Sequence, residues 1–370
     1  MLIGVPKEVK EHEHRVGLVP SSVCEIINMK HEVVVEKGAG ASVGLFDKDY
    51  EAAGARLVDT AEEVFAEADM IIKVKEPQPF ECRRLRPGQL LFTFLHLAPD
   101  PEQTRLLMES GCTAIAYETV TSDGGRLPLL APMSEVAGRM SVQAGAHCLE
   151  KKHGGRGTLL GGVPGVLPGK VTVLGGGVVG YNAIKIAVGM GAEVTVLDKS
   201  LPRLNELDTI FGQKIRTLYS NISNIQESTS CSDLVIGAVL IPGASAPRLV
   251  TREILKDMPE GSVLVDVAID QGGCAETSRA TTHTNPTYIE EGVVHYCVTN
   301  MPGGVARTST LALNNATLPY TLRLIDKGWK EALRADTHLR NGLNIHDGKV
   351  TYRAVAEALG YEYHPTESLI

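Results

Sequence analysis

The chain has 370 residues, 43% hydrophobic and 22% charged, with a formal net charge of -8 and an isoelectric point near 5.8. That length exceeds one compact core of ordinary size and suits two domains, and the acidic balance, with no Lys/Arg block, argues against a nucleic-acid surface. No apolar run approaches the roughly 20 residues that span a bilayer, and the N-terminal apolar run is far too short for a signal peptide.

In chain order, residues 2–5 read as a short apolar strand ending at Pro6, followed by the charged loop KEVKEHEHR that contains Arg15. A charge run is usually a solvated face, yet Arg15 follows a strand, at the edge where a parallel sheet binds ligands. His12 and His14 form an H-x-H pair without a third ligand nearby, a poor metal site, and no metal is expected. Residues 21–29 have a helical apolar pattern, and 31–36 (HEVVVE) a strand pattern. Residues 60–68 read as a helix capped by Thr60, with Glu62 and Glu63 in its first turn. The strand expected over 70–75 (MIIKVK) sets Lys73 and Lys75 on one face, with Lys75 at the C-terminal tip. Residues 89–97 (QLLFTFLHL) form a buried-strand pattern that ends with His96, Phe94 pointing the same way as an apolar wall beside the imidazole. A strand over 113–118 completes a parallel α/β unit. Ser134 is placed as the N-cap of a long helix, and the Gly-rich segment 154–169 ends that region.

Residues 171–198, VTVLGGGVVGYNAIKIAVGMGAEVTVLD, read as strand, glycine turn, helix and strand. Gly175, Gly177 and Gly180 fill the positions of G-x-G-x-x-G directly after an apolar strand, the context a dinucleotide fingerprint requires. The first glycine permits the tight turn, the second the approach of a pyrophosphate, and the third close packing of helix on strand. Asp198, at the end of the second strand, suits an adenosine ribose and favours NAD over NADP, since a 2′-phosphate would meet a like charge. Arg203 is read as a hydrogen bond near the ribose, or as no contact at all.

Further strands are expected at 215–219, ending at Ser220, at 233–238, at 262–269, delivering Asp270, and at 293–298, delivering Asn300 and Met301. Helices follow over 308–327, with a kink expected at Pro319, over 329–335, and over 354–359 with Gly360 as the stop. Because no further glycine-turn unit follows residue 304, these helices are expected to return to the first domain. The seven cysteines include no C-x-x-C pair, which suits reduced thiols in a cytoplasmic protein.

The fold expected is therefore α/β, with two Rossmann-like, doubly wound parallel-sheet domains and an active-site cleft between them. Residues 1–130 with 305–370 form the substrate domain and 131–304 the NAD-binding domain. Lys75, His96 and Asp270 are all delivered at strand ends, where ligands of such sheets bind. A small anionic substrate needs a cation for its carboxylate and a donor for its carbonyl oxygen, roles that suit Arg15 and Lys75. His96 is the natural proton carrier near neutral pH. Asp270 is suited to position water or ammonia, or to hold a second proton.

The segments GVPKE with Arg15-Val16, MIIKVKEP, LLFTFLHLA, AIAYETV, LPLLAPMSEVAGRM, GGVPGV, VLGGGVVG, LVIGAVLIPGA, SVLVDVAIDQGG, VVHYCVTNMPG and RTSTLAL resemble the alanine dehydrogenase and pyridine nucleotide transhydrogenase family over essentially the whole chain. The resemblance implies reversible, NAD-dependent oxidative deamination of L-alanine to pyruvate and ammonia. It makes Arg15 and Lys75 the substrate-binding residues, and His96 and Asp270 the acid/base pair. Cofactor contacts implied in the same way are Ser134, Val178, Val179, Asp198, Arg203, Ser220, Val239, Leu240, Val267, Ala268, Ile269, Asp270, Arg279, Val298, Thr299, Asn300 and Met301. Similar proteins are homohexamers. His12 stands where the family usually has asparagine, Gly17 where it has alanine, Val19 where it has serine or threonine, and Ala306 where it has proline. The rival readings are the NAD-binding component of a proton-translocating transhydrogenase and a non-catalytic NAD-responsive binder.

Overall fold

The computed structural model describes residues 1–239 and 246–370. The chain divides into two compact units, Met1–Met133 with Val305–Ile370, and Ser134–Gly304. Each is an α/β unit built on a mixed sheet that is mostly parallel.

In the first unit, β1 (Leu2–Val5), β2 (Glu32–Glu36), β3 (Arg56–Val58), β4 (Met70–Ile72), β5 (Leu90–Thr93) and β6 (Thr113–Ala116) pair in parallel in the order β3-β2-β1-β4-β5-β6. In the second, β7 (Lys170–Leu174), β8 (Glu193–Asp198), β9 (Ile215–Tyr219), β10 (Leu234–Gly237), β11 (Val263–Asp266), β12 (Thr287–Glu290) and β13 (Val293–Tyr296) follow the order β12-β13-β11-β10-β7-β8-β9. There β12 alone runs antiparallel. The chain returns to the first unit at Val305, where β14 (Leu343–His346) and β15 (Lys349–Val350) add an antiparallel hairpin outside β6. Both sheets reverse winding direction beside their first strand, at β1/β4 and at β7/β10, the arrangement of doubly wound folds. Central strands such as β5, β10 and β11 are buried at every position, as expected of strands covered on both faces. The edge strand β9 is half exposed.

Thr60 caps its helix by accepting from the Glu63 amide, and Gly360 ends the short helix Arg353–Leu359 with φ 72°. Several expected boundaries move. The helix Ala131–Cys148 starts three residues before Ser134, so Ser134 lies in the first turn and is not the N-cap; Pro132, whose fixed φ suits a first turn, opens the helix earlier. The helix Ala306–Lys327 runs unbroken through Pro319.

Three strands end early, and in each case a carboxylate accepts from amides beyond the strand end. β4 stops at Ile72; Lys73 N still reaches Phe92 O at 3.3 Å, and Glu8 Oε1 then accepts from Val74 N at 2.7 Å. β5 stops at Thr93, and Glu118 accepts from the amides of Leu95 and His96. β11 stops at Asp266, whose side chain accepts from Ala268 N at 3.0 Å and Cys274 N at 2.7 Å. The seven cysteines are unpaired. No helix among the described residues is long and apolar enough to cross a membrane.

Candidate active site

In the first unit the residues singled out from the sequence collect at the carboxyl ends of three adjacent strands. The loop after β1 carries Arg15, the segment after β4 carries Lys75, and the segment after β5 carries His96. Arg15 is 2% exposed. Its Nε and Nη2 donate to the two carboxylate oxygens of Glu13 at 2.7 and 2.6 Å, and Nη1 lies 3.0 Å from Met133 Sδ. This two-point pairing fixes the plane of the guanidinium. Glu13 escaped sequence reasoning because it sits in a charge run that reads as solvent-facing.

The expectation that Lys73 and Lys75 share a strand face is not met, since β4 ends before both. Lys73 is fully buried, 2.7 Å from Glu81 and 3.3 Å from Glu8. Burial alone would lower its pKa, but Glu8 and Glu81 outweigh it and hold the ammonium above its ordinary value. Burial pushes the Glu8 carboxyl up against the opposing pull of Lys73. Glu8 in turn accepts from the Val74 and Lys75 amides, so this buried triad sets the backbone that presents Lys75. The Lys75 ammonium is 3.8 Å from Glu76 and its side chain 16% exposed. Burial would raise the Glu76 carboxyl, yet Lys75 and a hydrogen bond from Lys10 hold it below the usual carboxylate value.

His96 adopts φ 49°, a left-handed conformation uncommon outside glycine and a marker of functional positions when the surroundings impose it. Here Glu118 imposes it, accepting the His96 amide at 2.6 Å while lying 3.9 Å from the ring Nδ1. The imidazole stacks on Phe94, with centroids 5.7 Å apart and planes 3° from parallel.

In the second unit the glycine turn lies where β7 and β10 diverge. Gly175 has φ 99°, and a Cβ there would stand 2.7 Å from Ala238 O. A Cβ on Gly180 would stand 1.8 Å from Gly175 O, so the helix Val178–Gly189 packs directly on the turn. A Cβ on Gly177 would meet no atom within 4 Å. Protein packing therefore does not demand glycine at 177, and the bare backbone suits the approach of a phosphate. Val178 and Val179 precede the first helical bond, from Tyr181 N to Gly177 O at 2.9 Å, so their amides lie at the positive helix end that favours anions.

Asp198 accepts from Gly176 N at 2.7 Å and from Ser200 N at 2.8 Å, one bond per carboxylate oxygen. Each oxygen has capacity for another donor, as a ribose diol requires. Arg203 braces the turn, its Nε donating to Gly176 O at 2.6 Å. Ser220 is buried directly after β9, its amide bonded to Asp198 O at 3.0 Å. Val239 follows β10 beside Gly175, and Leu240 lies outside the described residues.

Asp270 is not delivered by a strand tip. It sits exposed in the 3-10 turn Val267–Gln271, with Ala268 and Ile269 buried. Asp266, overlooked in the sequence, anchors that turn and also accepts from Ser278 Oγ at 2.5 Å. Arg279 is exposed, its guanidinium 4.0 Å from the centroid of the Tyr288 ring. Val298 and Met301 are buried, while Thr299 and Asn300 are half-buried. Asn300 has φ 56°, and its carbonyl lies 3.2 Å from His283 Nε2. Together these features fit a dinucleotide.

The chain matches the family described as Alanine dehydrogenase/PNT, its N-terminal domain over residues 4–137 and its C-terminal domain over 141–353. Alanine dehydrogenase of Halomonas elongata is 60% identical over 370 residues, covering 100% of both chains. That of Bacillus subtilis is 56% identical over 371 residues, covering 100% of this chain and 98% of its own. Among solved structures, an L-alanine dehydrogenase superposes with TM-score 0.95 at 52% identity, covering 97% of this chain and 99% of its own. A transhydrogenase from Sinorhizobium meliloti does so with TM-score 0.82 at 26% identity, covering 96% and 100%. With both domains matched in order and relatives similar from end to end, the chain belongs to the alanine dehydrogenase/PNT family.

Proposed function

We propose that this chain catalyses the reversible, NAD-dependent oxidative deamination of L-alanine to pyruvate and ammonia. Residues 1–130 with 305–370 supply the substrate half and 131–304 the NAD half. The observation that carries the reading is the 60% identity to an alanine dehydrogenase along the entire length of both chains.

NAD, held by the glycine turn and Asp198, supplies the hydride acceptor, and NADH the donor in reverse. Arg15, oriented by Glu13, holds the substrate carboxylate, and Lys75 steadies the carboxylate and later the carbonyl oxygen. The amine of alanine must lose its proton before the α-carbon gives up hydride and becomes an iminium carbon. Asp270 orients a water that adds to that carbon, while His96 takes the water's proton and returns it to nitrogen. The hydroxyl of the resulting carbinolamine then gives its proton to His96 as the C–N bond breaks, so that ammonia leaves and the carbonyl of pyruvate forms.

Oxidative deamination is expected to accelerate above neutral pH as the free amine becomes more abundant; a flat profile between neutral and alkaline pH contradicts this order of steps. The direct test is NADH oxidation on adding pyruvate and ammonium together. Dependence on both substrates supports the reading, whereas NADH binding without turnover favours a binder or a transhydrogenase component. Asp198→Ala is expected to narrow the preference for NAD over NADP, measured as the ratio of kcat/KM values; an unchanged ratio removes the ribose contact. The reading includes a cytoplasmic homohexamer, checked by sedimentation for six times 39.6 kDa.

A further inference from the structure

The far end of the helix Ala131–Cys148 carries a side-chain cluster that the reaction does not use. His147 lies in its last turn, Glu150 follows, and His153 closes the 3-10 turn Lys151–His153. The spacing is three residues twice over. Backbone bonds with the same step join them, Glu150 N to His147 O at 3.1 Å and His153 N to Glu150 O at 3.0 Å. Glu150 itself is extended, with φ -68° and ψ 144°, so the chain bends between the α-helix and the 3-10 turn and the three side chains meet at that bend. Gly155 N adds a second bond to Glu150 O at 3.2 Å, and Gly154 ends the turn with φ 87°.

The result is convergence of one ligand atom from each residue, all within 4.8 Å of one another. His147 Nδ1 is 3.6 Å from Glu150 Oε1, and the two imidazole centroids are 3.9 Å apart with planes tilted by 43°. A tetrahedral zinc ion, about 2.0–2.1 Å from each ligand, sets ligand atoms about 3.4 Å apart. The His147–Glu150 edge is thus nearly at its bound length, and side-chain rotation closes the others. Two imidazoles with one carboxylate suit a borderline ion such as Zn²⁺ and not Mg²⁺ or Ca²⁺, which take oxygen ligands. The negative end of the helix dipole adds to the attraction. The neighbouring Lys151 lays its stem along Gly157.

We infer that His147, Glu150 and His153 form a surface site for a divalent transition ion of the zinc type, with water completing the tetrahedron. His147 is 13 residues along the helix from Ser134, about 20 Å at 1.5 Å per residue. The inference therefore does not depend on the proposed reaction.

The test is calorimetric titration of the full chain with Zn²⁺ alone, beside His147→Ala and His153→Ala. His147 is exposed and His153 half-buried, and unchanged thermal melting and NADH binding would show that both variants fold. One equivalent per chain is expected for the parent. Loss of a group that only orients a metal ligand costs ~10–100-fold in affinity, so loss of a ligand itself should weaken binding by about 100-fold or more. Cobalt substitution separates this site from the seven cysteines: absorption of a nitrogen/oxygen tetrahedron without a thiolate charge-transfer band supports it. The inference is overturned by absence of a bound equivalent, by equal affinity in parent and variants, or by a thiolate band that persists in both variants.

Discussion

Lys73→Met is expected to lower the unfolding free energy by about 3–5 kcal/mol, the usual result of removing one partner from a buried ionic cluster. Lys73 is the cation between Glu8 and Glu81, all three side chains no more than 2% exposed. Methionine fills the same space but leaves two carboxyl groups without a counter-charge. The single tryptophan, Trp329, lies in the first unit, the one that holds the triad. Its fluorescence during urea unfolding therefore reads the loss where it occurs.

The same variant carries a pH signature. Burial already holds the Glu8 carboxyl above its ordinary value of 4.5 while Lys73 pulls it down, so removing Lys73 raises it further. A group whose folded pKa is raised binds more protons folded than unfolded, and its contribution is full below the unfolded value and lost as pH rises through the folded one. The deficit of Lys73→Met against the parent should therefore be larger at pH 8 than at pH 5. A deficit independent of pH would mean that lost packing, and not unpaired charge, causes it.

The two sheets were legible because central strands of a doubly wound fold are apolar on both faces and bounded by glycine and proline, a pattern visible in the segments that became β5, β10 and β11. Strand ends were less legible for one recurring reason. Apolarity reports burial of side chains, whereas a strand stops where its amides find partners outside the ladder. Glu8 takes the amide of Val74, Glu118 those of Leu95 and His96, and Asp266 those of Ala268 and Cys274. Those partners are 2 to 66 positions away. No local window joins Glu8 or Glu118 to the strands they end. The hairpin β14-β15 and the strand β12 were missed because strands at and next to a sheet edge are short and half polar, as TYIE in β12 shows.

The candidate site divides along the same line. Glycines 175, 177 and 180 could be read because their spacing is itself the signal. Arg15, Lys75 and His96 could be proposed because each follows an apolar run. Their supports could not, since Glu13 and Glu8 belong to the run KEVKEHEHR and only the fold encloses them.

Asp270→Asn is expected to lower kcat by about 10²–10⁴-fold, the usual worth of a positioned acid or base, while NADH binding stays unchanged. The geometry makes this separation possible. Asp270 lies exposed in the turn Val267–Gln271, but Asp266 holds the turn, its fully buried carboxylate accepting from Ala268, Cys274 and Ser278. Asparagine at 270 is nearly isosteric and leaves those bonds in place. Asp266→Ala, by contrast, abandons two amides and a hydroxyl at once, so NADH affinity and turnover should fall together. Stopped-flow NADH binding beside steady-state turnover distinguishes the two variants. If Asp270→Asn keeps parental kcat, water is oriented by another group and Asp270 has no part in the reaction. If it loses NADH binding to the same extent as Asp266→Ala, its role is to shape the turn. Only a fall in kcat at constant NADH affinity places its carboxylate at the reacting atoms.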